Sequence, residues 1–288
     1  MVSRVAHRRA SLASSALLAV CMSGPALAQS SSPAQSLLDS SFVFNVGGFA
    51  VSSDLKGRLN GQAAANPDVD FDKSFGREND ANRFRADALW RITPAHHLRF
   101  MYFDDKRNTS RALAEDIKWG DYTFLAGSNV ALERKLSITE LAYEYAFVHQ
   151  PTYEVAGTFG VHYTEQQITL SGAATVTDAN GVATSVAAAK TSKTLPVPLP
   201  VFGLRAAWAV APQWYLEAQG QWFKANVDGY DGKVTDIRAN ATWMFSQHFG
   251  LGLGYNRFST RLNVDRPAFD GTLRVGYAGL QVFLTGAF

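Results

Sequence analysis

The feature that most constrains this chain is a side-chain parity that holds charge to one face, strand after strand. Phe84, Ala86, Ala88, Trp90 and Ile92 share one parity, and Arg83, Arg85, Asp87 and Arg91 take the other. Leu98, Phe100 and Tyr102 oppose Arg99, and Leu141, Tyr143, Tyr145 and Phe147 oppose Glu140 and Glu144. Tyr153, Val155, Phe159, Val161 and Tyr163 stand against Glu154 and His162; Phe202, Leu204 and Trp208 against Arg205. Trp214, Leu216 and Trp222 oppose Glu217, while Ile237, Ala239, Trp243 and Phe245 oppose Asp236 and Arg238. The last stretch sets Leu280, Val282, Leu284 and Phe288 against Gln281, Thr285 and Ala287. Period two is the signature of a strand with two unlike faces. An Arg or Lys facing lipid at mid-depth costs about 2–4 kcal/mol, so an apolar face free of charge suits a bilayer.

A second regularity sets the connections. Trp90, Pro94 and Leu98 recur in spacing as Phe147, Pro151 and Val155, then as Trp208, Pro212 and Leu216, and finally as Trp243, Gln247 and Leu251. An aromatic beside a tight turn, four times over, describes one rim of short turns with a girdle at headgroup level. The girdle residues are Trp90, Phe147, Trp208, Trp214, Trp243 and Phe288. Longer connections are expected at about Arg58–Asp80, Asp104–Val130, Glu165–Pro198, Asn226–Lys233 and Asp265–Gly271. Short turns on one rim and long loops on the other match bacterial barrels. The fold class expected is all-β: a transmembrane antiparallel up-and-down β-barrel over residues 42–288. It has about ten strands, with eight or twelve as the neighbouring counts. The first strand runs from Phe42 to about Lys56, with a bulge expected at Gly47-Gly48. A soluble sandwich also alternates, but it buries its Trp and Tyr in the core and gives no reason for aromatics ringing the turns.

The N-terminus reads as a processed segment. Arg4, His7, Arg8 and Arg9 form a basic n-region, Ser11–Gly24 is small or apolar, and Ala26-Leu27-Ala28 is a small-x-small cleavage site. Residues 1–28 are therefore expected to be a secretory signal peptide, and 29–41 a loose periplasmic leader. Cys21, the only cysteine, lies within that signal. Its preceding Val20 departs from a lipoprotein site, and the mature chain has no thiol chemistry. Removing three Arg leaves 24 Lys+Arg against 25 Asp+Glu, a charge of −1 instead of the precursor's +2. That balance gives no argument for nucleic acid. No apolar run is long enough for a transmembrane helix.

The charged face points inward in such a barrel. It carries Arg83, Arg85, Arg91, Arg99, Arg205 and Arg238 against Asp87, Glu140, Glu144, Glu154, Glu217 and Asp236. Unpaired buried charge is costly, so a salt-bridge network largely filling the lumen is expected. The alternative is a narrow path for ions or small solutes; eight strands are filled by side chains and sixteen leave a channel. A hydrolase is the third reading. His96, His97, His149 and His248 fall at turns, and only His162 lies high on a strand facing inward, with Glu165 and Ser171 near it in sequence. No nucleophile–base–orienter set is visible, so no catalytic, cofactor or metal residue is assigned. Asp104-Asp105 is an adjacent acid pair whose members face opposite ways. Asp68, Asp70 and Asp72 begin like a calcium loop, but Lys73 and Asn79 break it. Thr175–Gly181 reads as a hairpin rising around an Asn-Gly turn.

Together the signal, the hairpins Leu89-Trp90-Arg-Ile-Thr-Pro94 and Ala207-Trp208-Ala-Val-Ala-Pro212, and terminal Phe288 resemble a proteobacterial outer-membrane β-barrel protein of the small-barrel class. Gly286 departs from the fully apolar form of the terminal strand. The resemblance implies insertion by the barrel assembly machinery and residence in the Gram-negative outer membrane among lipid and lipopolysaccharide, with both termini periplasmic. It implies a structural or surface-binding role, names no surface ligand, and carries no catalytic residue across.

Overall fold

The computed structural model describes residues 31–76, 81–227, 230–266 and 269–288. The expected signal peptide with Cys21, and Asn79 of the acidic loop, lie outside the described residues. Ten long strands carry the architecture: β1 (Phe42–Leu59), β3 (Ala81–Arg91), β4 (His96–Ala112), β7 (Asn129–His149), β8 (Tyr153–Thr177), β9 (Ala183–Ala211), β10 (Trp214–Val227), β11 (Tyr230–Met244), β12 (Phe249–Arg266) and β13 (Phe269–Ala287). Each pairs antiparallel with the next. β13 returns to pair with β1 from Val43↔Ala287 to Leu59↔Gly271, closing the ring. The chain is an antiparallel ten-stranded β-barrel.

All four expected tight turns are present, between β3 and β4, β7 and β8, β9 and β10, and β11 and β12. The ends of the barrel segment meet at that same rim: Phe42 N donates to Phe288 O at 2.7 Å and Phe288 N to Phe42 O at 2.8 Å. Phe42 stacks on Trp90 and Phe44 on Phe288. Neighbouring residues show how strictly the faces divide: Leu284 is 61% exposed and Phe283 only 4%. Near the turns the outward face is Phe, Leu, Trp and Tyr, and the inward face carries the charges.

Farther from the turns the two faces exchange character. On β7, Leu141, Tyr143, Tyr145 and Phe147 point out below, but Glu133, Lys135, Ser137 and Thr139 take the same outward parity above. The inward parity changes from Glu144 and Glu140 to Ile138, Leu136 and Leu132, all buried. β8 and β9 do likewise, with Ile168, Leu170, Leu195, Val197, Leu199 and Val201 inside. The upper barrel thus has an ordinary apolar core, set on a lower barrel whose exterior is the apolar surface. An apolar exterior around a charged interior suits lipid outside, and a polar exterior around an apolar interior suits water outside.

This exchange corrects the expected loops. Much of Asp104–Val130 and Glu165–Pro198 is strand, because polar outward residues in water still sit on a ladder. Only residues 113–128 and 178–182 leave the wall there, and β10–β11 and β12–β13 stay paired as far as Val227↔Tyr230 and Arg266↔Phe269. The β8–β9 tip turns over Ala179-Asn180 into Gly181, which has φ +82 and whose N–H bonds Asp178 O at 3.0 Å. Beyond the Trp222↔Phe202 pair, β9 keeps only β8 as a partner among the described residues. Pro196, Pro198 and Pro200 stand on that free stretch and have no N–H to offer an intruding strand.

Both ends are covered. The 113–128 connection forms the hairpin β5 (Ile117–Trp119) and β6 (Tyr122–Phe124), and β6 pairs with the top of β8. Residues 60–76 include β2 (Val69–Asp70), paired with β1, and helix α2 (Phe71–Phe75). Phe71 meets Trp119 edge-on at 5.2 Å, and Asn66 Nδ2 donates to Gly120 O at 2.8 Å, tying the two loops into a roof. At the turn rim lies helix α1 (Pro33–Asp39). Ser32 and Gln35 form a reciprocal capping box with Pro33 in the first turn, the arrangement that starts short helices. Ala34, Leu37 and Leu38 pack on Tyr215, Met244 and Ala287, and Ala34 N bonds Pro212 O at 2.9 Å. This part of the leader is therefore docked and not loose. The bulge expected at Gly47-Gly48 is also absent: β1 holds register there, and a Cβ on Gly47 would lie 2.7 Å from Phe283 Cβ. The glycine makes room for the facing backbone at Val282 and Phe283.

Truncating a buried Leu costs about 2–5 kcal/mol, more than a seven-residue helix can lose and stay docked. Leu38→Ala is expected to raise amide exchange across 33–39 while leaving the strand amides protected. Unchanged exchange in α1 would contradict its anchoring role.

Candidate functional site

Parity alone sends twelve charged side chains inward, and the barrel's curvature decides which of them meet. Nearest the turns, β7, β8, β9 and β10 bring Glu144, Glu154, Arg205 and Glu217 together, with Arg99 arriving from β4. Arg99 Nε donates to Glu144 Oε1 at 2.7 Å and Arg205 Nε to Glu144 Oε2 at 2.8 Å. Arg205 also bonds Glu154, and Arg99 Nη2 reaches Glu217 Oε2 at 3.3 Å. Arg91 lies 3.9 Å from Glu154 and donates to Ser40 O at 2.9 Å, joining the network to the end of α1.

A second group lies deeper. Arg238 Nη2 is 2.5 Å from both Glu140 Oε2 and Asp236 Oδ2. His162 Nε2 sits 3.3 Å from Glu140 and 3.1 Å from Gln221 Oε1. Arg85 donates to Asp87 at 3.0 and 3.1 Å and to Asn256 Oδ1 at 2.7 Å. Glu140, His162 and Asp236 place three possible metal ligands within 4.8 Å of one another. The Arg238 guanidinium already bridges the two carboxylates, however, where a cation would have to sit. A third group, on the same parity, begins where the apolar core does. Arg83 and Arg134 bond Asp105, the latter at 2.6 Å, and Arg107 lies 3.4 Å from Asp72.

All twelve expected lumen charges therefore point inward, with Arg83, Asp87 and Glu217 slightly exposed and the others more buried. They divide between these three groups. Sequence reading missed Arg134, Arg107, Asp105 as an inward residue, and Asp72; the signal was there, because 105 and 107 continue the parity of Arg99 and 134 that of Glu140. Asp72 lies under the roof, where burial pushes its carboxyl up from the ordinary value against the Leu55 N–H and the nearby Arg134 and Arg107. The candidate hydrolytic set does not assemble: His162 points inward, whereas Glu165 and Ser171 share the outward parity. His96 reaches Tyr143 OH at 2.6 Å and His149 reaches Glu154 at 2.8 Å. His97 faces Pro94 O at 3.1 Å, and His248 stacks on Phe288. In the acidic loop, Asp70 pairs with Lys56 at 2.7 Å and Asp68 lies 3.9 Å from both Arg58 and Arg274. The six girdle side chains all face out and are exposed.

Between α1 and the first group remains a cavity of about 20 Å³, lined in part by Leu37, Asn45, Asp87, Arg99 and Glu217. A water molecule needs about 10–15 Å³ by this measure, so the space suits roughly one.

No protein-family model matches the sequence, and no curated protein sequence matches it either. Among solved structures, the outer-membrane protease OmpT of Escherichia coli superposes with a TM-score of 0.56 at 12% identity, over 86% of this chain and 96% of that one. The fold is that of an outer-membrane β-barrel. Ail, the attachment invasion locus protein of Yersinia pestis, aligns more loosely, with a TM-score of 0.34 at 7% identity over 85% of this chain and 97% of its own. At these identities the likeness concerns backbone architecture alone.

Removing one partner of a buried ion pair typically costs about 3–5 kcal/mol, since the other charge stays behind. Arg205→Ala, which strands Glu144 and Glu154, is expected to lower stability by about that much in urea unfolding from phospholipid vesicles. Adding Glu144→Gln to Arg205→Ala should cost much less than Glu144→Gln alone, as coupled sites require. Additive losses would show that the pair is not coupled.

Proposed function

We propose that this protein is an integral outer-membrane barrel whose lumen is a structural filling, and whose strand extensions carry its role at the cell surface. One observation carries the reading: the interior is occupied at every level. α1 lies across the turn end, three groups of compensated charges follow, and then an apolar core roofed by Phe71, Phe75, Trp119 and Phe124. A conduit needs a continuous polar path, and here the polar path ends against packed Leu, Ile, Val and Phe.

In this reading the turn rim, with both ends of the barrel, is periplasmic, and the upper barrel stands outside the membrane. The belt of Trp, Phe, Leu and Tyr contacts lipid, with lipopolysaccharide around the outer part and the barrel assembly machinery acting during insertion. The outward polar faces of β7, β8 and β9, and the exposed tip at 178–185, offer the surface that a partner outside the cell would meet. OmpT is a protease by its description, but the hydrolytic set considered above does not form in this chain, so a binding or structural role is the better fit.

Purified protein in planar bilayers is expected to give no discrete conductance steps across about 100 mV, a potential worth about 2.3 kcal/mol per charge. Reproducible unitary openings would favour the narrow-channel alternative and overturn the filled-lumen reading.

A further inference from the structure

The outer surface carries a row of cations that no part of the account so far uses. Lys56 on β1 is directly paired in register with Arg274 on β13. Arg274 is paired with Arg261 on β12, Arg261 with Lys233 on β11, and Lys233 with Lys224 on β10. Five cations thus stand side by side across five adjacent strands, all of outward parity and none buried. Like charges directly opposite on a sheet destabilise it.

Among the described residues, acids relieve only one end. Lys56 pairs with Asp70 at 2.7 Å, and Arg274 lies 3.9 Å from Asp68. Lys224, Lys233 and Arg261 have no ion pair among the described residues, and neither does Arg257, exposed four residues nearer the turns on β12. Asp231, higher on β11, takes the Asn263 amide at 3.1 Å, while Asp265 and Asp270 face each other near the β12–β13 tip. Elsewhere on the barrel such opposition is neutralised: Lys106 and Lys135 are also directly paired, and Glu133 lies 3.8 and 3.3 Å from them.

The row's height is informative. Lys224 and Lys233 stand ten residues along their strands from the girdle residues Trp214 and Trp243. Ten residues at about 3.3 Å each, tilted by about 40°, rise about 25 Å, the height of a barrel's apolar band. Lys224 and Lys233 therefore fall where hydrocarbon gives way to headgroups on the far leaflet, and the row climbs from there to Arg261, two residues farther from the rim aromatic of its own strand, Phe249.

We propose that Lys224, Lys233 and Arg261, flanked by Arg257 and Arg274, form a binding site for the phosphate groups of an anionic outer-leaflet lipid, the chemistry of the phosphorylated headgroup of lipopolysaccharide. Phosphate oxygens accept charge-assisted bonds from several cations at once, and cations at this depth attract anionic headgroups. The site rests on the membrane reading above and assigns it a specific lipid contact on β10–β13.

The test is native mass spectrometry of the full barrel in neutral detergent, titrated with doubly phosphorylated lipid A and with its dephosphorylated counterpart. The phosphorylated lipid is expected to bind at least about tenfold more tightly, the scale of a charged hydrogen bond or two. Lys224→Ser, Lys233→Ser and Arg261→Ser combined should remove most of that difference, whereas Lys106→Ser with Lys135→Ser should leave it intact. Inorganic pyrophosphate in millimolar excess should not displace the lipid. Equal binding of the two lipids by the unaltered protein, unchanged binding by the triple variant, or full displacement by pyrophosphate would each overturn the lipid site. The comparison of two lipids needs no variant, and retention of the fast unheated gel band certifies each variant's fold. A chain that stays in the membrane yet does not distinguish the lipids loses only this site. A chain absent from the membrane loses the reading beneath it.

Discussion

A backbone in hydrocarbon finds no water for its N–H and C=O groups, so each must be met by another strand. The pairing of β1 with β13 is what this requirement comes down to here. Without that seam the other nine pairings make an open sheet with two unsatisfied edges in lipid. The register from Val43↔Ala287 to Leu59↔Gly271 leaves no such edge along its length, and the reciprocal Phe42–Phe288 bonds fasten its lower end. Gly47 and Gly279 lie on it where a Cβ would approach the facing backbone oxygen to 2.1 and 2.0 Å, so close pairing favours the smallest residue.

Closing the ring creates an interior that must be filled, and the surroundings dictate the filling. Where the outside is lipid, the sequence's charged residues can only go in, and they are stable there because each acid meets an arginine. Where the wall rises into water, the apolar residues go in instead. The change takes place between Glu140 and Ile138 on β7, and between Gln166 and Ile168 on β8, without any break in parity. The mixed zone at that level, with Asp105, Arg134 and Ser53 beside Phe49 and Phe103, is where the two kinds of interior meet. A cation row at the same transition on the outside answers the same boundary from the other face.

Much of the lower barrel was legible in the sequence, for a physical reason. Lipid tolerates no charge on its face, so the alternation of Phe84 to Ile92 or Leu141 to Phe147 is clean, and the aromatic–turn–aliphatic spacing marks the rim. The upper barrel was not legible by the same rule. Lys106, Asn108, Glu165 and Gln167 read as loop because a search for apolar outward faces fails once the outward face turns polar. Continuing the parity past Asp104 would have placed Asp105 and Arg107 inside. The α1 cap was also readable, from Ser32-Pro33 followed by Gln35. Which arginine meets which acid was not readable, because that depends on barrel curvature and on side chains up to four strands apart in the ring, as with Arg99 and Glu217.

The central claim is that the exposed Phe, Leu, Trp and Tyr belt faces lipid around a closed barrel. Membrane fractionation followed by gel electrophoresis of heated and unheated samples tests it most directly. The account predicts a protein confined to the outer-membrane fraction, whose unheated band runs compactly and shifts to its full apparent mass on boiling. A soluble protein with a single band indifferent to heat would contradict it.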